Sequence, residues 1–283
     1  MKSIASARSF LFVPANRPER YAKALASGAG AVIIDLEDAV ASDAKVAARA
    51  NLADGFGRLP AADRTRVLVR INAAGTPWHA DDIALVALLS ELDLGGVLLP
   101  KAEAVADLVQ LVACVGPGCA VLPMIESAAG LAALDVLAAC AGVTRLVFGN
   151  LDFQADLGMA CGPDEAELQP VRLALVLASR RAGLYAPVDG VTPATGDTLQ
   201  LQQDAARARR SGFSAKLCIH PAQVAIVQAT LTPTEAELDW ARRVLHAETC
   251  SGGGVFTVDG RMVDAPVLRL AQRVLAQATP SSA

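Results

Sequence analysis

Short apolar runs recur along the chain near residues 9–13, 31–35, 66–70, 96–99, 119–123, 144–148, 187–190 and 214–217. Between them lie stretches whose apolar positions return at helical spacing: Pro18–Ser27, Asp43–Phe56, Ala80–Leu92, Glu103–Val115, Ala128–Cys140, Glu165–Ala182 and Thr198–Ser211. The runs are apolar at successive rather than alternate positions, so each strand should be covered on both faces, as in a parallel sheet wrapped by helices. Eight such units predict an α/β chain closed as a (β/α)8 TIM barrel. An open doubly wound sheet is the alternative, but it would lead with a glycine-rich phosphate turn. The first turn here, VPANRPER, has no GxGxxG.

The barrel accounts for residues 1–232 and leaves 233–283 as a C-terminal helical extension. Pro233 and Thr234 open a further helical segment, Gly252–Gly254 supply a flexible joint, and Pro266–Ala278 makes a last helix. This tail is expected to act as a lid, packing on its own barrel or on a neighbouring subunit. A poorly ordered tail is the alternative.

Polar groups gather where the apolar runs end. VIIDLEDAV finishes on Asp35, Glu37 and Asp38, VLVRIN on Arg70 and Asn72, VLLPK on Lys101, VLPMIE on Glu126, and LVFGNLD on Asp152. The carboxyl ends of barrel strands are where this fold collects its chemistry. Glu126 and Asp152 follow successive strands, with 128–140 between them expected to form one helix. Each acid alone could simply open a helix, where the dipole favours it. Together, near Arg70, they match a pair of hard oxygen ligands for Mg2+ facing an anionic substrate. Arg70 could fork onto a carboxylate or a developing enolate, or pair with Asp35. Glu37 or Asp38 could hold metal-bound water or form salt bridges to Arg70 or Lys101. Lys101 invites an imine mechanism, yet the two acids already imply another electron sink. His220 reads as a helix-start or packing residue, and no GxSxG elbow is present.

Composition narrows the partners. With 283 residues, 53% of them apolar, the chain can bury a large single-domain core. Its 25 basic and 29 acidic side chains give a net charge of −4 without a basic block, which argues against nucleic acid. The six cysteines lie far apart with no CxxC pair, and are expected to be buried small apolar residues. The N-terminal apolar stretch is interrupted by Pro14 and reads as a first strand rather than a targeting segment. No run approaches the roughly 18 residues that span a bilayer, so the expectation is a cytoplasmic protein with no membrane partner.

RSFLFVPANRPER, VIIDLEDAV, VLVRIN, LLPKAE, LPMIESAAG, VFGNLDFQADLG, GFSAKLCIHPAQV and FTVDGRMVDAPV together resemble the citrate lyase β-subunit-like proteins of the HpcH/HpaI aldolase superfamily. The resemblance spans about residues 8–275. It implies a (β/α)8 barrel that uses Mg2+ to make or break carbon–carbon bonds in short acyl thioesters, commonly as a homotrimer. Carried over by motif, Glu126 and Asp152 are the implied Mg2+ ligands, and Arg70 the substrate-binding arginine near the reacting oxygen. Asp264 is implied to reach a neighbouring subunit's active site, and Asn16 and Lys23 to contact the thioester or its coenzyme A arm. Many relatives carry an acid before the metal aspartate, whereas this chain has Asn150 and Leu151. The implied reaction is retro-Claisen cleavage of a citramalyl-, malyl- or citryl-CoA type thioester to an acyl thioester and a 2-oxo acid. The alternatives are a synthase with thioester hydrolysis, or a non-catalytic thioester-binding subunit of a larger lyase complex.

Overall fold

The computed structural model describes residues 2–251 and 254–278. Contacts divide the chain into two compact units, Met1–Gln228 and Ala229–Ala283, where the sequence suggested a boundary after residue 232. The first unit holds eight strands: β1 (Ser9–Pro14), β2 (Ala31–Asp35), β3 (Val67–Arg70), β4 (Gly96–Leu99), β5 (Ala120–Ile125), β6 (Val147–Phe148), β7 (Val188–Asp189) and β8 (Ala215–Cys218). They close in sequence order into one parallel barrel, sealed where Ser9 of β1 registers with Lys216 of β8. The chain therefore has the expected (β/α)8 architecture.

Inward side chains from every strand make one core, among them Phe10, Ile33, Leu68, Leu98, Leu122, Val147, Val188 and Leu217. Their strand neighbours Leu11, Val32, Val69 and Val97 are equally buried. Burial on both faces is the reason the runs do not alternate. The N-terminal segment departs from expectation by forming a helix, Lys2–Ser6, before β1. Ile4 from that helix joins the barrel core. Arg145, wholly buried, fastens this end by donating to the carbonyls of Ala7 and Ala186 at 2.8 Å and to Ser214 Oγ at 2.9 Å. Burial with no facing acid pushes its pKa down to about 9.

Two helical expectations need correction. The stretch 128–140 is two short helices, Ala128–Ala132 and Leu134–Ala138, separated at Ala133, whose ψ is 4°. Gly130 weakens the first, and it is a glycine because a Cβ there would meet the Ala102 carbonyl at 2.8 Å. The helix expected from Glu165 starts at Gln169 instead, since Pro170 fits only a first turn. Asp152 lies in the first turn of a further helix, Asn150–Leu157, in keeping with an acid that opens a helix.

The second unit begins its long helix, Glu235–Ser251, with a reciprocal cap: Thr234 Oγ1 accepts from the Glu237 amide and Glu237 Oε2 from the Thr234 amide. A hairpin of β9 (Phe256–Val258) and β10 (Arg261–Val263) follows, turned at Asp259 and Gly260 with φ of 52° and 73°. That Asp-Gly pair is a hairpin signal the sequence reading passed over. The helix Ala265–Ala278 ends the described chain, and Val263, Ala271 and Val244 share a small core. Of the proposed joint, Gly252 and Gly253 lie outside the described residues.

Candidate active site

Strand register brings the acidic loop and the arginine side by side, because Asp35 of β2 pairs in register with Arg70 of β3. Arg70 donates from Nε to Asp35 Oδ1 at 2.7 Å and from Nη2 to Asp35 Oδ2 at 2.6 Å. The pairing that sequence offered as the structural role of Arg70 is therefore present. Nη1 faces Glu37 Oε2 at 2.8 Å and Asp38 Oδ2 at 3.4 Å, and the guanidinium lies 4.9 Å from the Phe12 ring centroid. Burial works against this charge, but Asp35, then Glu37 and Asp38, hold the guanidinium above its ordinary pKa.

Asp35 also accepts the Glu37 and Ala39 amides, which fixes the turn after β2. Lys45 fixes it from the other side, donating to the Leu36 and Glu37 carbonyls at 2.8 Å while lying over the Trp78 ring. Sequence reasoning did not single out Lys45, and its spacing carries no motif. Glu37 is buried, and its Oε2 lacks a hydrogen bond because the nearby Arg70 Nη1 is out of line with it. Burial pushes the Glu37 carboxyl up to about 7, with Arg70 opposing and Asp38 and Asp35 adding to the rise.

Glu126 follows β5 directly and is 2% exposed. Its Oε1 accepts the Lys101 amide at 2.8 Å. Gly149 is required beside it, since a Cβ there would fall 2.2 Å from Glu126 Oε2. The carboxyl is pushed up to about 8 by burial first and then by Glu37, with Asp152 contributing in the same direction. Asp152 is half-buried in the first turn of its helix. Buried Asn150 anchors that turn: Oδ1 accepts the Val191 amide at 2.9 Å, and Nδ2 donates to Glu165 Oε1 at 2.9 Å. Glu165 has a left-handed backbone, φ 46°, and is gripped by Arg172 and Arg207. This support was visible in sequence only as the Asn150 departure.

Lys101 also has a left-handed backbone, with φ 46°. Its Nζ lies 3.9 Å from Glu37 Oε1. Partial burial lowers its pKa, but Glu37, Asp38, Glu126 and Asp152 more than offset this and hold the ammonium above its ordinary value.

The structure thus gathers Arg70, Glu37, Asp38, Glu126, Asp152 and Lys101 into one electrostatically coupled mouth. Asn16, in the turn after β1, and Lys23, on the helix Tyr21–Leu25, are exposed, and no described contact joins either to Glu126 or Arg70. Asp264 belongs to the second unit, where its Oδ1 accepts the Val267 amide and caps the last helix. His220 opens the helix Pro221–Leu231 and accepts the Ala222 amide. The cysteines need correction: Cys119 and Cys218 are buried, but Cys114 is exposed and Cys140 and Cys161 are half-buried.

No cluster of three or more His, Cys, Asp or Glu side chains with metal-holding geometry occurs among the described residues. The buried Glu126 carboxyl, pushed up in part by Asp152 and Glu37, nevertheless marks an acid-rich pocket that fits a small hard cation. Mg2+ commonly takes one or two protein carboxylates and fills its other positions with water and substrate.

The profile of the HpcH/HpaI aldolase/citrate lyase family matches residues 8–221, and that of a carbon–carbon bond lyase of the TIM-barrel fold matches 177–280. A citrate lyase subunit beta-like protein of Mycobacterium tuberculosis is 38% identical over 279 residues, covering 97% of this chain and 96% of its own. A (3S)-malyl-CoA thioesterase of Cereibacter sphaeroides is 35% identical over 274 residues, covering 96% and 94%. The crystal structure of CitE from M. tuberculosis, in complex with magnesium, acetoacetate and coenzyme A, superposes with a TM-score of 0.83 at 36% identity. It covers 97% of this chain and 99% of that one.

Proposed function

The chain belongs to the HpcH/HpaI aldolase/citrate lyase family, and from that premise we propose that it is a Mg2+-dependent carbon–carbon lyase acting on a short 3-hydroxyacyl-CoA. The substrate is of the citramalyl-, malyl- or citryl-CoA type, and the products are an acyl-CoA such as acetyl-CoA and a 2-oxo acid. The observation that carries the reading is the electrostatic coupling of buried Glu126 with Asp152 and Glu37 at one barrel mouth. Magnesium and coenzyme A in the M. tuberculosis structure, and the malyl-CoA named for the C. sphaeroides relative, support the cofactor and the substrate class.

Glu126 and Asp152 hold the Mg2+, which when bound supplies the Lewis acidity that makes an alkoxide accessible near neutral pH. Glu37, buried beside Arg70 and with its carboxyl pushed up to about 7, takes the proton of the substrate 3-hydroxyl. The electron pair of the C–C bond passes to the thioester as an enolate, and the hydroxyl carbon becomes the carbonyl of the 2-oxo acid. The enolate carbon then takes up a proton, and the proposed donor is Asp264 of a neighbouring subunit in a homotrimer. Arg70, held by Asp35 in a two-pronged pair, keeps a positive charge beside the substrate, while Asp38 orders water beside the metal. Asn16 and Lys23 contact the coenzyme A arm. No helix among the described residues is long and apolar enough to cross a membrane, and we place the reaction in the cytoplasm.

Thioester hydrolysis is a second reading, favoured by the thioesterase relative. The test is to incubate purified protein and Mg2+ with each of the three thioesters and identify products. Pyruvate, glyoxylate or oxaloacetate with acetyl-CoA supports cleavage, and free hydroxy acid with coenzyme A supports hydrolysis. Tight thioester binding without turnover would favour a non-catalytic subunit.

A further inference from the structure

Arg70 and Lys101 both stand among the acids at the mouth of the barrel, and they differ in how far their charge is already committed. Arg70 is engaged by Asp35 through a two-pronged pair and faces Glu37 and Asp38 as well, so three carboxylates share one guanidinium. Lys101 differs on every point. Its side chain is 46% exposed, and its only ion pair among the described residues, at 3.9 Å to Glu37, is too long for a hydrogen bond. No acceptor bonds its Nζ among the described residues, so the ammonium keeps its donors for whatever enters the mouth.

The backbone at Lys101 makes the same case independently. A φ of 46° is strained for a residue with a long side chain, and glycine or asparagine would fill the position with less strain. The conformation delivers the Lys101 amide to Glu126 Oε1 at 2.8 Å while its ammonium stands in the field of Glu37, Glu126 and Asp152. Strain of this kind persists where surrounding structure enforces it, typically at a functional site.

We propose that Lys101 is a further catalytic residue, whose ammonium receives the thioester oxygen of the enolate as the C–C bond breaks. The proposal rests on the lyase reading above. In that step the 3-hydroxyl proton goes to Glu37 and the C–C electron pair delocalises onto the thioester oxygen, where Lys101 donates a hydrogen bond. The enolate carbon is then reprotonated and the ammonium is regenerated unchanged. No imine forms, so the role differs from that of an aldolase lysine.

The test uses the full chain with Mg2+ and reads two reactions: cleavage of the 3-hydroxyacyl-CoA, and solvent-deuterium exchange into the methyl group of acetyl-CoA. Lys101→Met is expected to lower kcat about a hundredfold or more, the scale of losing one oxyanion donor, with KM within a few-fold and exchange slowed in parallel. Lys101→Gly relieves the backbone strain, so its Tm should equal or exceed that of wild type while kcat falls. Added ethylammonium should then restore part of its rate with saturation. Wild-type kcat and exchange in Lys101→Met would overturn the proposal, as would a rise in KM alone, which marks a carboxylate anchor. A borohydride-trapped adduct of the 2-oxo acid on Lys101 would overturn it in favour of an imine. If wild type exchanges deuterium but cleaves none of the thioesters, the substrate assignment fails, and the exchange rate of Lys101→Met still decides the role of Lys101. Absence of both reactions in wild type counts against both.

Discussion

Replacing Glu126 by Gln should abolish cleavage and yet make the metal-free protein more stable. The Glu126 carboxyl is pushed from an ordinary 4.5 to about 8, by burial and then by Glu37, with Asp152 adding to it. An unfolded chain ionises this group near 4.5, so between pH 4.5 and 8 the folded state binds more protons than the unfolded one. Stability therefore falls as pH rises through that window and levels off above it. At pH 7 about 2.5 units have been crossed, which at 1.36 kcal/mol per unit gives a penalty of about 3 kcal/mol, rising to about 5 kcal/mol by pH 9. A glutamine keeps a carbonyl for the Lys101 amide and cannot ionise. In chelator, the variant should melt roughly 5–10 °C above wild type at pH 7, with a wider gap at pH 9 and none near pH 4. Added Mg2+ should raise the Tm of wild type and leave the variant unmoved, because ligand binding stabilises only a chain that can bind it. Thermal melts across pH, with and without Mg2+, decide the matter. A variant no more stable than wild type at pH 9 in chelator would refute the claim that this carboxylate is electrostatically frustrated.

Arg70→Lys should lower kcat about a hundredfold and also destabilise the fold by about 3 kcal/mol, since buried Asp35 loses a two-pronged partner; denaturant melts showing wild-type stability would disprove the second part. That variant cannot spare folding, as a purely substrate-directed arginine would. Cleavage should vanish in EDTA and return with Mg2+, and activity unchanged by chelator would point away from a metal. Mixed oligomers of Asp264→Ala and Glu126→Ala chains should regain part of the activity; none regained after verified subunit exchange would remove Asp264 from a neighbour's site.

How much of this was legible in the sequence depended on the range of the interaction involved. The strands were readable because burial on both faces writes a continuous apolar run, and Glu126 was readable because it ends one. Lys45 was not, because its role consists of two hydrogen bonds to carbonyls across a loop, which any residue can offer. The Glu165 network was hidden for a related reason: its partners Asn150, Arg172 and Arg207 come from three separate segments, and only the closed barrel brings them together. Arg70 shows the converse. Its position at a strand end was plain, but position does not reveal how many carboxylates share the charge, and that sharing decides which cation is left to meet an oxyanion. At a site this rich in acids, the lysine with uncommitted donors carries more chemical information than the arginine the motif makes conspicuous.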